Sequence, residues 1–443
     1  MEFDWGWLLI RFLVSSVVLT YALIGAGFWT LILRKVGARM QQRLGPNRAG
    51  PGGMFQWAAD LLKMLLKEPI LPAGADKPVF LAAPIVAAFA ATAAYAFIPF
   101  GERITIFGRT IPYYVADTPV GLLALLALAS LQVYGILMAA WSSNSKYPML
   151  SGLRAGAQVI SYEIIMGLSL VGVMLLAQSL NLNDISRAQG GSLVARDAVA
   201  DTPGIWLILL QPVGLLIYLL AGLAEVTYPP FDVVEAETEL IAGYHAEYSG
   251  IQFGLFQAAE FVGTMTVGAI TTTCFLGGWQ PILPLGGAEV APFWFLLKTS
   301  AIVFLMMWLR WTLPRFRYDQ LMGICWKVML PLALANLLLV ATLRLLVPSG
   351  TPPLGQGSFA QALPWLLFSA VELIFAVLVV LALSRRAARS WWGRSECSRA
   401  AGRPAAATTT SFPDEIAPPR RVELRSGLLA GIGASDGSAR EGD

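Results

Sequence analysis

Hydrophobic residues in this chain come in long runs separated by short polar stretches, at about 8–33, 78–99, 120–141, 155–180, 204–225, 253–278, 293–313, 325–347 and 363–384. Each run reaches the roughly 20 residues that a helix rising ~1.5 Å per residue needs to cross a hydrocarbon core ~30 Å thick. A backbone in lipid must satisfy its own hydrogen bonds, which leaves helices or a closed barrel. The ten-residue alternation of barrel strands is missing, so the pattern predicts an all-α, polytopic membrane protein of about nine transmembrane helices. The first run continues into Arg34 and Lys35 with no basic segment before it and no small-residue cleavage site after it, and reads as a span rather than a signal peptide.

Composition agrees with a bilayer as solvent: 56% of residues are hydrophobic, 13% are charged, and the mean hydropathy is +0.63. Charge then orients the spans. Arg34, Lys35, Arg39, Arg43, Arg48, Lys63, Lys67 and Lys77 follow the first run; Lys146 and Arg154, Arg310, Arg315 and Arg317, and Arg385, Arg386 and Arg389 form later groups. A nine-span count puts all of them on one side, which the positive-inside rule makes cytoplasmic. Arg103, Arg109, Arg187 and Arg196 are exceptions on the other side. By that count the N-terminus lies outside and the C-terminal tail inside. A membrane domain is expected over 1–384, and a cytoplasmic tail over 385–443, poor in apolar periodicity and read as disordered, with Trp391 and Trp392 as an interfacial anchor at its root.

Three scattered cysteines, Cys274, Cys325 and Cys397, and a single histidine, His245, give no usual ligand set for zinc, haem or an iron–sulfur cluster. No Walker loop or dinucleotide fingerprint is present. Any redox step therefore falls to a partner chain or a bound small molecule; no metal and no nucleic acid is expected.

Four segments carry candidate chemistry. Met54–Lys67 sets Gln56, Asp60, Lys63 and Lys67 on one narrow stripe of an otherwise apolar helix, predicting an interfacial helix that either packs against the spans or forms the lip of a cavity open to the bilayer. The preceding loop holds Arg39, Arg43 and Arg48 and is made rigid by turns at Gly45-Pro46 and Gly50-Pro51, suited to phospholipid headgroups and to setting topology. Glu225 to Glu260 carries Glu225, Asp232, Glu235, Glu237, Glu239, Glu247 and Glu260, with no Lys or Arg before Lys298. Asp232 and Glu235 have helix-capping spacing, which leaves the rest unexplained. Loop carboxylates sharing a partly buried cavity would have raised, coupled pKa values, as a proton relay needs; a solvated loop that docks a basic partner is the other reading. Glu163 falls inside a predicted span, where a carboxylate is costly; it serves function or pairs with Arg154 or Lys146.

The stretches RKVGARMQQRLGPNRAGP, ADLLKMLLKE, SSNSKYPMLSGLRAGAQVISYE, PPFDVVEAETELIAGYHAEYSG and LPRFRYDQLM, in that order over about residues 5–384, resemble the H-subunit family of proton-pumping NADH:quinone oxidoreductase, respiratory complex I. The resemblance implies a translocase subunit without a redox centre of its own. It would help form a quinone tunnel and couple quinone reduction to proton translocation. By position, Glu163, Glu225, Asp232, Glu235, Glu237, Glu239, Glu247 and Glu260 would be the proton-coupling carboxylates. Arg39, Arg43, Arg48 and Phe231 would lie near the quinone, and Arg315, Arg317, Tyr318 and Asp319 would dock the hydrophilic redox arm. Quinone is the implied substrate, with flavin and iron–sulfur clusters on partner subunits and other membrane-arm subunits alongside in the bilayer. Two positions depart from the pattern: Leu33 stands where the family usually has Glu, and Thr227-Tyr228 where it usually has Asn-Arg. A membrane subunit of a hydrogenase or ferredoxin-linked complex, and a stand-alone ion transporter, are the alternative readings.

Overall fold

A computed structural model describes residues 5–106, 109–190, 205–234, 243–281, 290–347 and 363–383. Contacts divide the chain into units 1–380 and 381–443; every contact below lies in the first, and the expected tail 385–443 falls outside the described residues. The chain runs α1 (Trp5–Met40), α2 (Gln56–Leu66), α3 (Lys77–Ala94), strands β1 (Arg103–Ile106) and β2 (Arg109–Pro112), α4 (Gly121–Ser142), α5 (Lys146–Ala177), α6 (Leu182–Ala188), α7 (Leu207–Leu210), α8 (Pro212–Glu225), α9 (Gly250–Phe275), α10 (Ala291–Thr312), α11 (Tyr318–Leu346) and α12 (Leu363–Leu383).

Eight of the described helices (α1, α3, α4, α5, α9, α10, α11 and α12) are long and apolar enough to span a membrane. The predicted fifth span, 204–225, is broken. Pro212 supplies no backbone N–H and disfavours helical geometry at the residue before it. Gln211 accordingly sits at φ −138°, ψ 58°, separating α7 from the 14-residue α8. Pro331 acts similarly in α11. It cannot donate to the Lys327 carbonyl, and a π-helical turn at Cys325–Met329 takes up the irregularity.

Small residues let the spans approach. Ala83, Ala87, Ala91 and Ala94 of α3 are buried against α4, and a Cβ at Gly135 would lie 2.7 Å from that of Ala87. The outward faces of α1 and α12 remain exposed and apolar, at Phe12, Val17, Leu373 and Leu378 among others, as a lipid-facing surface requires. The all-α expectation holds apart from one short antiparallel hairpin between α3 and α4, with Arg103 opposite Pro112 and Ile104 opposite Ile111. It also explains an exception to the charge rule. Arg103 donates to the Tyr114 hydroxyl (3.2 Å), and Arg187 in α6 pairs with Glu102 (2.8 Å) and Asp184 (3.4 Å).

Candidate functional site

The ends of α1, α4, α8 and α10 and the starts of α3, α5, α9 and α11 meet at one end of the bundle, together with α2 and the described parts of the acidic segment, 225–234 and 243–260. α2 lies across α1 and α9, as the amphipathic stripe predicts. Asp60 accepts from Arg34 (2.5 Å) and Gln56 (3.0 Å), while Leu61, Leu62, Leu65 and Leu66 are exposed on the other side.

The acidic segment is held in part by neutral donors on α5. Gln158 donates to the carbonyls of Ala224 and Phe231, both at 2.8 Å, and Ser151 to that of Val234 at 2.6 Å. At the far end of the segment Tyr248 stacks on Phe80, ring centroids 3.9 Å apart, and donates to the Phe80 carbonyl. These bonds use no charge and involve none of the carboxylates.

Two of the carboxylates face inward. Glu225, the last residue of α8, and Glu260 on α9 line a buried cavity of about 40 Å³, with Gln132, Tyr218, Thr227 and Thr266 as further polar wall. That volume holds two or three waters by the ~10–15 Å³ criterion. Glu163 sits on α5 close enough for its charge to act on Glu225. Its carboxylate accepts from the hydroxyl of Ser130 on α4, rather than pairing with Arg154 or Lys146. Arg154 instead lies over the Tyr318 ring at 5.6 Å.

The other predicted residues separate. Asp232 binds Arg315 at 2.5 Å. Arg315, expected on a docking face, is thus committed within the chain. Glu247 is half-buried near His245 and does not line the cavity. Glu235, Glu237 and Glu239 lie outside the described residues. Phe231, expected near a quinone, is packed between Tyr162 and Phe316, 3% exposed. Arg317 and Asp319 are exposed and pair at 3.3 Å, beside Tyr318.

A second, open cavity of about 490 Å³ lies between the end of α1 and the end of α10, within the ~300–1,000 Å³ range of small-molecule sites. Its wall includes Leu33, Arg34, Arg43, Leu44, Arg310 and Trp311. Arg43 is therefore at the predicted place; Arg39 and Arg48 are exposed outside it.

In the sequence, Arg310 reads only as a topology charge. In the structure it lines the open cavity, approaches Glu260 of the buried cavity at 3.5 Å, and stands 4.3 Å from the centre of the Tyr228 ring. No signal in the sequence pairs residues 228, 260 and 310; only the fold does.

Known proteins share this chain's sequence over most of its length. A family model described as NADH dehydrogenase matches residues 13–341. The chain is 49% identical over 337 residues to an H subunit of NADH-quinone oxidoreductase from Geobacter sulfurreducens, covering 76% of this chain and 95% of that one. It is 46% identical over 342 residues to the H subunit from Thermomicrobium roseum (77% and 98%), and 43% identical over 382 residues to that from Frankia casuarinae (85% and 79%). The resemblance drawn from the five motif stretches thus extends well beyond them, and this polytopic membrane chain belongs to the NADH dehydrogenase family, alongside the H subunits of NADH-quinone oxidoreductases.

Proposed function

We propose that the chain is a membrane subunit of an NADH-quinone oxidoreductase in which the open cavity admits quinone from the bilayer and the buried cavity passes the resulting charge change to a proton path. The observation that carries this reading is Arg310, one guanidinium that lines the open cavity and approaches Glu260 of the buried one. A quinone accepting electrons beside it gains negative charge and competes with Glu260 for the same cation. Glu260 then loses its counter-charge, and the carboxylates grouped around the buried cavity, Glu225 and Glu163 among them, redistribute protons. The exposed, closely paired Arg317 and Asp319 suit docking of a hydrophilic redox arm, whose subunits would carry flavin and iron–sulfur clusters. The surrounding bilayer would be a bacterial cytoplasmic membrane with residues 385–443 on the inner side.

The test is Arg310→Gln in the assembled complex. It leaves a shorter, neutral polar side chain and removes the charge between the two cavities. Quinone reduction and proton pumping are expected to fall together, by about tenfold or more, with Arg310→Lys intermediate. Wild-type rates of quinone reduction and of proton pumping in assembled Arg310→Gln complex would remove the two-cavity reading.

A further inference from the structure

A carboxylate lies in the middle of the last span, beyond the 13–341 stretch that the family model matches. Glu372 is the tenth of the 21 residues of α12, a helix otherwise mostly turned to lipid, yet it is fully buried. Both of its carboxylate oxygens lack a hydrogen-bond partner among the described residues. No partner chain can reach a side chain with no exposed surface. A group of this kind holds its own proton or exchanges it along an internal polar path.

Buried polar groups of α11 and α8 are candidates for such a path. Trp365, Phe368 and Glu372 are the buried residues of α12, Ala333, Asn336 and Val340 are buried on α11, and Arg344 of α11 lies over the Trp365 ring at 5.5 Å. From that contact, Asn336 is eight residues and Glu372 seven residues along two antiparallel helices, about 12 and 10.5 Å, so the two are level within about 1.5 Å. In this register Arg344 is about two helical turns from Glu372. Asn336 in turn meets Gln211 at the break between α7 and α8: a Cβ at Gly214 would lie 3.2 Å from Gln211 Oε1 and 3.5 Å from Asn336 Nδ2. Both side-chain polar atoms of Gln211, and Asn336 Oδ1, are likewise buried without a partner among the described residues. Gln211, Tyr218 and Glu225 repeat at seven-residue spacing on one face of α8. Tyr218 and Glu225 already line the buried cavity.

We infer that Glu372 is a second proton-binding site within the membrane, joined to the Glu225 cavity through Asn336, Gln211 and Tyr218. The inference rests on the reading of that cavity as a proton path. During turnover the Glu372 carboxyl gives its proton toward Asn336 and Gln211 and is reprotonated by the same route; the amides order the path and the two carboxyls hold the charge.

The experiment is proton pumping per electron in proteoliposomes of the whole complex, with redox-difference infrared spectra of the carboxyl C=O region. Glu372→Gln is expected to keep quinone reduction within about twofold of wild type, to lower pumping per electron about twofold or more, and to remove one protonated-carboxyl band. Gln211→Leu, which leaves Glu372 in place, is expected to lower pumping similarly while the band persists; it decides the matter if Glu372→Gln does not assemble. Wild-type pumping in both variants with an unchanged spectrum overturns the inference. Glu225→Gln run in parallel separates the two readings. A defect there with none at Glu372 or Gln211 sinks only the second site, whereas no defect at Glu225 sinks the cavity itself.

Discussion

The two departures from the resemblance, Leu33 and Tyr228, meet at Arg310, and this gives a quantitative prediction. Leu33 shares the open cavity wall with Arg310, and the Tyr228 ring lies beneath the guanidinium at 4.3 Å. Tyr228→Arg alone replaces that ring by a second cation. At about 4.3 Å and an effective dielectric constant of ~20 the repulsion is about 4 kcal/mol before relaxation, and a partly desolvated cation–π contact of about 1–2 kcal/mol is lost as well. Arg310 is about one-fifth exposed and can swing outward, which reduces the cost but breaks its contact with Glu260. Leu33→Glu alone puts a carboxylate into a wall that already holds Arg34 and Arg43, and draws Arg310 away from Glu260 in the other direction. Together the new carboxylate and the new guanidinium neutralise each other around Arg310. Each single substitution is therefore expected to lower quinone reduction in assembled complex by about tenfold or more, and the double substitution to recover part of it. The coupling should be about 1.5 kcal/mol or larger, about a tenfold departure from the product of the single effects. The assay is a double-mutant cycle on quinone reductase rate, normalised to complex abundance on native gels. Additivity within a factor of about two would refute the claim that both positions act through Arg310.

Other regions give independent outcomes. Lys298, buried in α10, donates to the carbonyls of Leu276 (2.7 Å), Gly278 (3.1 Å) and Gln280 (2.6 Å) just past the end of α9; Lys298→Met should cost about 1–3 kcal/mol per carbonyl left unsatisfied and register as a lower unfolding temperature or loss of the subunit from membranes. Gly135→Ala should destabilise the α3–α4 contact by about 1–3 kcal/mol, with partial recovery on adding Ala87→Gly, read by heat-induced loss of assembled complex. Single cysteines at Ser411 and Gly355 should label from opposite faces of the membrane in intact and inverted vesicles; reaction of both from outside would contradict a crossing by α12.

Much of the fold was legible because lipid leaves the backbone few choices. Eight of the nine apolar runs became spanning helices at nearly the expected places, and the interfacial helix followed from the four-three-four spacing of Gln56, Asp60, Lys63 and Lys67. The break in the fifth run also has a sequence signal, since Gln211-Pro212 falls inside it, but a hydropathy window averages over a single proline. The hairpin at 103–112 is hidden for the opposite reason: RITIFGRTIP alternates for too few residues to register against nine long runs. Among the candidate residues, Glu163 stands out by its cost in a membrane, and Glu225 and Glu260 by belonging to an acidic segment without Lys or Arg. Glu372 carries the same cost in the run 363–384, but no motif surrounds it to mark it. Arg310 and Arg315 are not legible at all, since positive charge at a span end serves topology and ion pairing equally well, and only tertiary contact separates the two.

The geometry also limits how coupling can operate here. Glu260 approaches Arg310 at 3.5 Å, longer than a strong charge-assisted hydrogen bond of about 2.7–2.9 Å, and both side chains keep some exposure. A pair held at that distance is weak enough to be exchanged for a competing anion without a large rearrangement. Asp232 and Arg315, at 2.5 Å with the carboxylate buried, are the opposite case and serve to fix the loop. If one cation is to report the charge of the open cavity to the buried one, differential attraction has to reside in the looser pair, because a ligand shifts an equilibrium only by its difference in affinity for the two states. Arg310 and Glu260 meet that condition and Arg315 and Asp232 do not. Under the proposed function the first pair would therefore carry coupling and the second would hold the loop, although both are a basic residue near the α10–α11 turn facing a carboxylate of the same acidic segment.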